Sequence, residues 1–155
     1  MQFSTKEDIE APIADVFAML AEFESYERAA IRRGVEVQRL NENAPRAAGL
    51  TWKAAFTLRG KPRRLNLVLS QFDPPNLMRF DAEGAGLDGH LTIELMALSP
   101  KRTRMAIVLN LAPKTLSARL FVQSLKLAKS NLSKRFKLKV AEHAKALEER
   151  YTRSA

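Results

Sequence analysis

Cysteine is absent from this chain of 155 residues. That excludes a disulfide framework, a thiolate nucleophile and any zinc or iron–sulfur site built on sulfur. Histidine is scarce too. His90 and His143 are the only imidazoles, 53 positions apart and without a HExxH-type spacing, so no metal site and no metal cofactor is expected. Long apolar runs are missing: no stretch approaches about 18 uninterrupted apolar residues. Near the N-terminus stand Lys6, Glu7, Asp8 and Glu10 instead of the apolar core of a signal peptide. These absences predict a soluble, cytoplasmic protein. No repeat, linker or low-complexity tract divides the chain, which reads as a single domain over 1–155.

What is present is an ordinary globular balance, 46% hydrophobic and 28% charged, at a length that buries roughly 70% of the unfolded surface. Phe3, Thr5 and Ile9 alternate with Ser4, Lys6 and Asp8, the period of a half-buried strand. Ala11-Pro12 then opens a short helix with Pro12 at its first position, placing Ile13, Val16, Phe17, Leu20 and Phe23 on one face. A second short helix is predicted around residues 24–30, and a strand resumes after Gly34. From Leu50 to Leu111 alternation dominates, as in Trp52, Ala54, Phe56 and Leu58 against Lys53, Thr57 and Arg59. Turn signals at Arg59-Gly60, Asp73-Pro74-Pro75-Asn76, Gly84 to Gly89 and Ser99-Pro100 separate sequential strands, so the sheet is predicted to be antiparallel.

After Pro113 the period changes to that of a helix. Phe121, Leu125, Ala128, Leu132, Phe136, Val140, Ala144, Leu147 and Tyr151 form one stripe. A continuous helix over 116–151 would be about 54 Å long. Ser130-Asn131 and Ser133 mark a kink, while the unbroken phase predicts no full break.

Strand, two short helices, a run of antiparallel strands and a long C-terminal helix make an α+β, helix-grip order: about seven curved strands wrapped around that last helix. Within it, Ile9-Glu10-Ala11-Pro12 followed by Val16-Phe17 and Leu20 resembles the opening of the START-like, birch-allergen-like (SRPBCC) superfamily, in its polyketide cyclase and coenzyme-Q-binding branch. The resemblance implies a cavity between sheet and C-terminal helix for a hydrophobic small molecule such as a lipid, isoprenoid quinone or polyketide. The side chains it would use are Phe17, Trp52, Phe56, Leu67, Phe80, Ile93, Ile107, Phe121, Leu125, Leu132 and Phe136. Only Thr5 and Glu7 add polarity on the same parity. The same residues would equally serve to fill a core, and the alternation pattern does not distinguish the two. A cyclase or dehydratase acting in the same cavity is the alternative to a carrier.

Charge adds a third feature. From Lys114 to Ala141 there are eight basic residues and no acidic one, most of the net +9. Leu127 and Leu138 point away from the helix's main stripe among Lys126, Lys134 and Lys137, a surface suited to an anionic membrane or an acidic protein. Nucleic acid is the weaker partner: the segment's aromatics, Phe121 and Phe136, lie on the buried stripe and leave no base-stacking platform, although the four basic residues of Arg59-Gly60-Lys61-Pro62-Arg63-Arg64 make a second positive spot on a hairpin tip.

Two motifs fail on context. Gly84-Ala85-Gly86-Leu87-Asp88-Gly89 spells GxGxxG but runs into the alternating strand pattern of His90 to Leu95, where a dinucleotide fingerprint needs a helix. No nicotinamide or flavin is expected; the segment reads instead as a flexible hairpin near a cavity mouth. His90 is the one candidate proton shuttle, beside Asp88 or Glu94, against the plainer reading of a surface turn residue. His143 and Glu142 read as solvated.

Overall fold

The computed structural model describes residues 1–154. Alternation becomes one antiparallel sheet of seven strands: β1 (Gln2–Ile9), β2 (Glu36–Arg39), β3 (Thr51–Leu58), β4 (Lys61–Asp73), β5 (Leu77–Gly84), β6 (Leu87–Ser99) and β7 (Arg102–Pro113). Their order is β1-β7-β6-β5-β4-β3-β2. Consecutive strands from β2 to β7 are neighbours. β1 and β2 form the two edges, and α1 (Ile13–Leu20) and α2 (Phe23–Arg32) carry the chain from one edge to the other.

Two tight turns set the hairpins. Arg59 and Gly60 (φ 52° and 74°) join β3 to β4, and Ala85 and Gly86 (φ 53° and 73°) join β5 to β6. Two successive residues with positive φ give the turn whose twist matches that of the strands it connects. At Gly86 the glycine is required twice over, since a Cβ there would lie 2.4 Å from Thr115 Oγ1. A bulge between Leu69 and Gln71 shifts the register, so that Leu69 and Phe72 both face the interior.

Pro12 is extended (φ −62°, ψ 147°) and stands just before α1, one position earlier than its role as first helical residue predicts. The turn it makes is locked from below. Thr103, fully buried on β7, donates its hydroxyl to the carbonyl of Ala11 at 2.8 Å.

The C-terminal stripe does not form one helix. It divides at Ala128 (φ −106°, ψ 14°) into α3 (Leu116–Leu127) and α4 (Lys129–Ser154), two residues before the predicted kink at Ser130. Both segments keep their apolar faces toward the sheet, which is why the phase carries no trace of the break. α4 packs on β1, with Phe3 and Phe136 5.9 Å apart and Val140, Ala144 and Leu147 buried. α3 buries only Ala118 and Val122.

Candidate ligand-binding site

The interior between sheet and helices has two unlike ends. At the α2 end, aromatic rings fill it. Phe23 stands 5.5 Å from Trp52, 6.3 Å from Phe72 and 6.1 Å from Phe80, with Phe17 5.3 Å from Phe72. Trp52 is anchored by its indole N–H, which donates to Glu27 Oε2 at 3.0 Å. Arg39 closes on the same carboxylate. Phe17 and Trp52, expected against a ligand, are core residues at this closed end.

At the α3 end the packing is incomplete. A cavity of about 120 Å³ lies between the β3–β4 hairpin, the β5–β6 turn and the first half of α3. Phe56, Leu65, Leu87 and Phe121 give it apolar walls. Of the residues expected at a ligand, Phe56 and Phe121 line this space. Phe80 belongs to the aromatic cluster, Leu67, Ile93 and Phe136 are half-buried against the core, Leu125 and Leu132 are half-buried on the C-terminal helices, and Ile107 is buried in the core. The glycine hairpin forms part of the wall and is held tightly. A Cβ on Gly84 would meet the Arg64 carbonyl oxygen at 2.2 Å, and the Gly86 carbonyl accepts from the Lys114 amide at 2.7 Å. Thr115 caps α3 beside it, accepting from the Ala118 amide at 3.1 Å. The expectation of a flexible hairpin gives way to a close-packed one.

Arg63 is the residue that sequence reasoning misplaced. Read with its neighbours as a positive spot on a hairpin tip, it pairs across the ladder with Phe56 and shares inward parity with Leu65 and Leu67. Its guanidinium lies 5.9 Å from the Phe121 ring, whose other cationic neighbour, Arg59, stands 5.1 Å away and also donates to Ser124 Oγ. The Nε of Arg63 is buried and has no hydrogen-bond partner within the protein. Strict period two along β4 was the available signal.

His90 lies elsewhere. Its register partner is Asp81, on the face of the sheet opposite Leu91 and Phe80, and its Nδ1 is 2.5 Å from Asp81 Oδ1. Arg79 Nε donates to the same oxygen at 3.0 Å. Partial burial opposes ionisation of Asp81, but hydrogen bonds from His90, Ser70 and Arg79 outweigh it and hold the carboxyl below its ordinary range. The group is an outer-face cluster, so the expected proton shuttle does not reach the cavity; its partner is neither Asp88 nor Glu94. His143 is not solvated. Its Nε2 is hydrogen-bonded to the Tyr26 hydroxyl, 2.8 Å away, and burial pushes the imidazole below its usual pKa and the phenol up to about 12. Arg150 and Glu22 pair beside them, tying α4 to α1 and α2.

Outside, the helices present leucine among lysine. Leu127 is 92% exposed, and Leu116, Leu120 and Leu138 are exposed with it. Lys126, Lys134 and Lys137 flank them, also exposed. A broader groove of about 470 Å³ crosses β2, β3 and β4 on the outer side, edged by Glu36, Lys53, Arg64 and Asn66, and is polar where the inner cavity is apolar. Among the described residues no helix is long and apolar enough to cross a membrane, and no group of three or more His, Asp or Glu could hold a metal ion.

No protein-family model matches the sequence, and no curated protein does. Solved structures do match. An aromatase/cyclase from a Streptomyces species superposes over 99% of this chain and 94% of its own, with a TM-score of 0.65 at 12% identity. A START superfamily protein from Mycobacterium smegmatis covers 86% of this chain and 95% of its own, with a TM-score of 0.51 at 14% identity. This is the START-like, helix-grip fold. A Thermus thermophilus protein shares it over 100% of this chain and 99% of its own, with a TM-score of 0.63 at 19% identity. At such identities the START-like likeness extends to the fold, and the fold expected from the Ala11-Pro12 motif and the element order is the one observed.

Proposed function

We propose that this protein binds a hydrophobic small molecule of lipid, isoprenoid-quinone or polyketide type between its sheet and α3, in keeping with the polyketide cyclase and coenzyme-Q-binding branch of START-like proteins. The observation that carries this reading is the contrast between the aromatic-filled α2 end and the apolar cavity left at the α3 end. Apolar burial would supply about 25 cal/mol per Å² removed from water, less the cost of ordering the guest. Ordinary ligand sites enclose about 300–1,000 Å³. A guest of that size needs α3 to swing outward about Ala128; of the two C-terminal helices it buries less, Ala118 and Val122 against Val140, Ala144 and Leu147 in α4. Binding is favoured over a cyclase or dehydratase reaction because the polar side chains at the cavity are Arg63, Arg64 and Ser117, with His90 on the other face.

Gentle mass spectrometry of freshly purified protein, followed by organic extraction, is expected to reveal a retained apolar molecule. Titration with the neutral dye N-phenyl-1-naphthylamine should saturate at one per chain. Absence of both a retained molecule and saturable dye binding would overturn the reading.

A second surface supports delivery at a bilayer. Leu127 and Leu138 among Lys126, Lys134 and Lys137 match an anionic membrane in both polarity and charge. Sedimentation with phosphatidylserine-containing vesicles should exceed that with pure phosphatidylcholine and weaken with salt. Indifference to both would remove the membrane; capture by an acidic protein would then be the remaining use of this face.

A further inference from the structure

A guanidinium facing an apolar cavity without a carboxylate is an unfinished arrangement. Arg63 is set on the inner face of β4 by its pairing with Phe56, and its stem lies in the wall beside Leu65 and Phe121. Its Nε is shielded from solvent and lacks a partner, and no ion pair among the described residues includes it. The acidic groups of the adjoining hairpin are committed or turned away. Asp88 pairs with Lys114 at 2.9 Å, and Glu83 shares the outward parity of Asp81. Arg59, on the same Phe121 ring, already has Ser124 as a partner. A buried donor left unpaired is costly, and a charged one more so, so natural interiors rarely keep one without a use. Stacking on Phe121 compensates the charge but gives the buried Nε no acceptor.

We propose that Arg63 receives the anionic head of an amphiphilic ligand, a carboxylate or similar oxyacid bonded by the guanidinium fork, while the apolar tail runs inward past Phe56 and Phe121. This rests on the ligand-binding reading above and narrows it from any apolar guest to one carrying a single anionic end. Arginine is the side chain suited to such a head, because its planar fork meets two carboxylate oxygens at once. The hairpin that presents it, Arg59-Gly60-Lys61-Pro62-Arg63-Arg64, adds positive potential that would draw anions to the mouth.

The test compares probes with one chain length and different heads, octanoate and 1-octanol, by isothermal titration. Wild-type protein should bind octanoate at least about tenfold more tightly than octanol. Arg63→Met should bring octanoate to the level of octanol and leave octanol within about twofold. Arg63→Lys, which keeps the charge but not the fork, should fall between, and it stands in if the methionine variant unfolds. Arg32→Met, which removes the same charge from an exposed site on α2, should preserve the full preference. Equal affinity for the two probes in the wild type, or a preference that survives Arg63→Met, overturns the anchor while leaving the apolar site standing. Binding of neither probe overturns the site itself.

Discussion

The indole N–H of Trp52 and the carboxylate of Glu27 meet at 3.0 Å, and this hydrogen bond, beside the Phe23–Trp52 ring contact, joins α2 to β3 at the closed end of the interior. Arg39, only 10% exposed at its side chain, donates to the same Glu27 oxygen through Nε at 2.8 Å. Removing Glu27 strands two buried donors at once. Glu27→Ala is therefore expected to cost about 2–3 kcal/mol, below the full figure for a buried pair because Glu27 is partly solvated. In urea denaturation the double variant Glu27→Ala/Arg39→Met should lose less than the sum of the two single losses. Additive losses would show that the groups are independent.

Thr103 offers a cleaner test of one hydrogen bond. Its hydroxyl is fully buried and serves the Ala11 carbonyl, within the motif that opens the fold. Thr103→Val keeps the shape and leaves that carbonyl unpaired, for a loss of about 1–2 kcal/mol. Thr103→Ser should recover most of the hydrogen-bond contribution at the expense of one methyl group. Equal urea midpoints for wild type and Thr103→Val would refute the role.

Acid should weaken the attachment of α4. Burial lowers the His143 pKa in the folded state relative to its unfolded value of about 6.5. Between those two values the unfolded chain binds the extra proton, so stability rises with pH there and is lost as pH falls from about 6.5 toward the folded value. Urea midpoints at pH 7.5 and 5.5 should therefore differ more in the wild type than in His143→Gln. All other titratable groups are common to both chains, and an unchanged difference would contradict the assignment.

Gly86→Ala should be among the most damaging single-methyl additions. The new Cβ would strike the Thr115 hydroxyl that caps α3, at a backbone angle (φ 73°) that L-residues seldom adopt. A loss of about 2 kcal/mol or more is expected, together with faster amide hydrogen exchange in the first turn of α3. Gly34→Ala has a similar angle (φ 89°) but open space around it. It should cost about 1 kcal/mol and leave α3 exchange unchanged.

The strands and their inward faces were legible because period two requires only local information, and the same rule would have turned Arg63 inward. Four basic residues within six positions read instead as a solvated tip, and composition overrode parity. The division at Ala128 had only the weak helix formers Ser130, Asn131 and Ser133 as its signal: neither glycine nor proline marks it, and the apolar phase continues across it. His143 looked solvated for a different reason. Its partner Tyr26 is 117 positions away, a distance that helical periodicity cannot span. How far the aromatic rings would fill the interior was likewise beyond alternation, since that depends on how α2 places Phe23 between Trp52 and Phe72.

The division at Ala128 gives the last two helices separate duties. α4 is riveted to β1, α1 and α2 by Phe136, Val140, Leu147 and the Glu22–Arg150 pair, whereas α3 rests on Ala118, Val122 and the Thr115 cap. The panel that yields most cheaply to a bulky guest is thus the one whose reverse side displays Leu116, Leu120 and Leu127. Touching a greasy surface from outside and unlatching the chamber within would be two consequences of a single hinge.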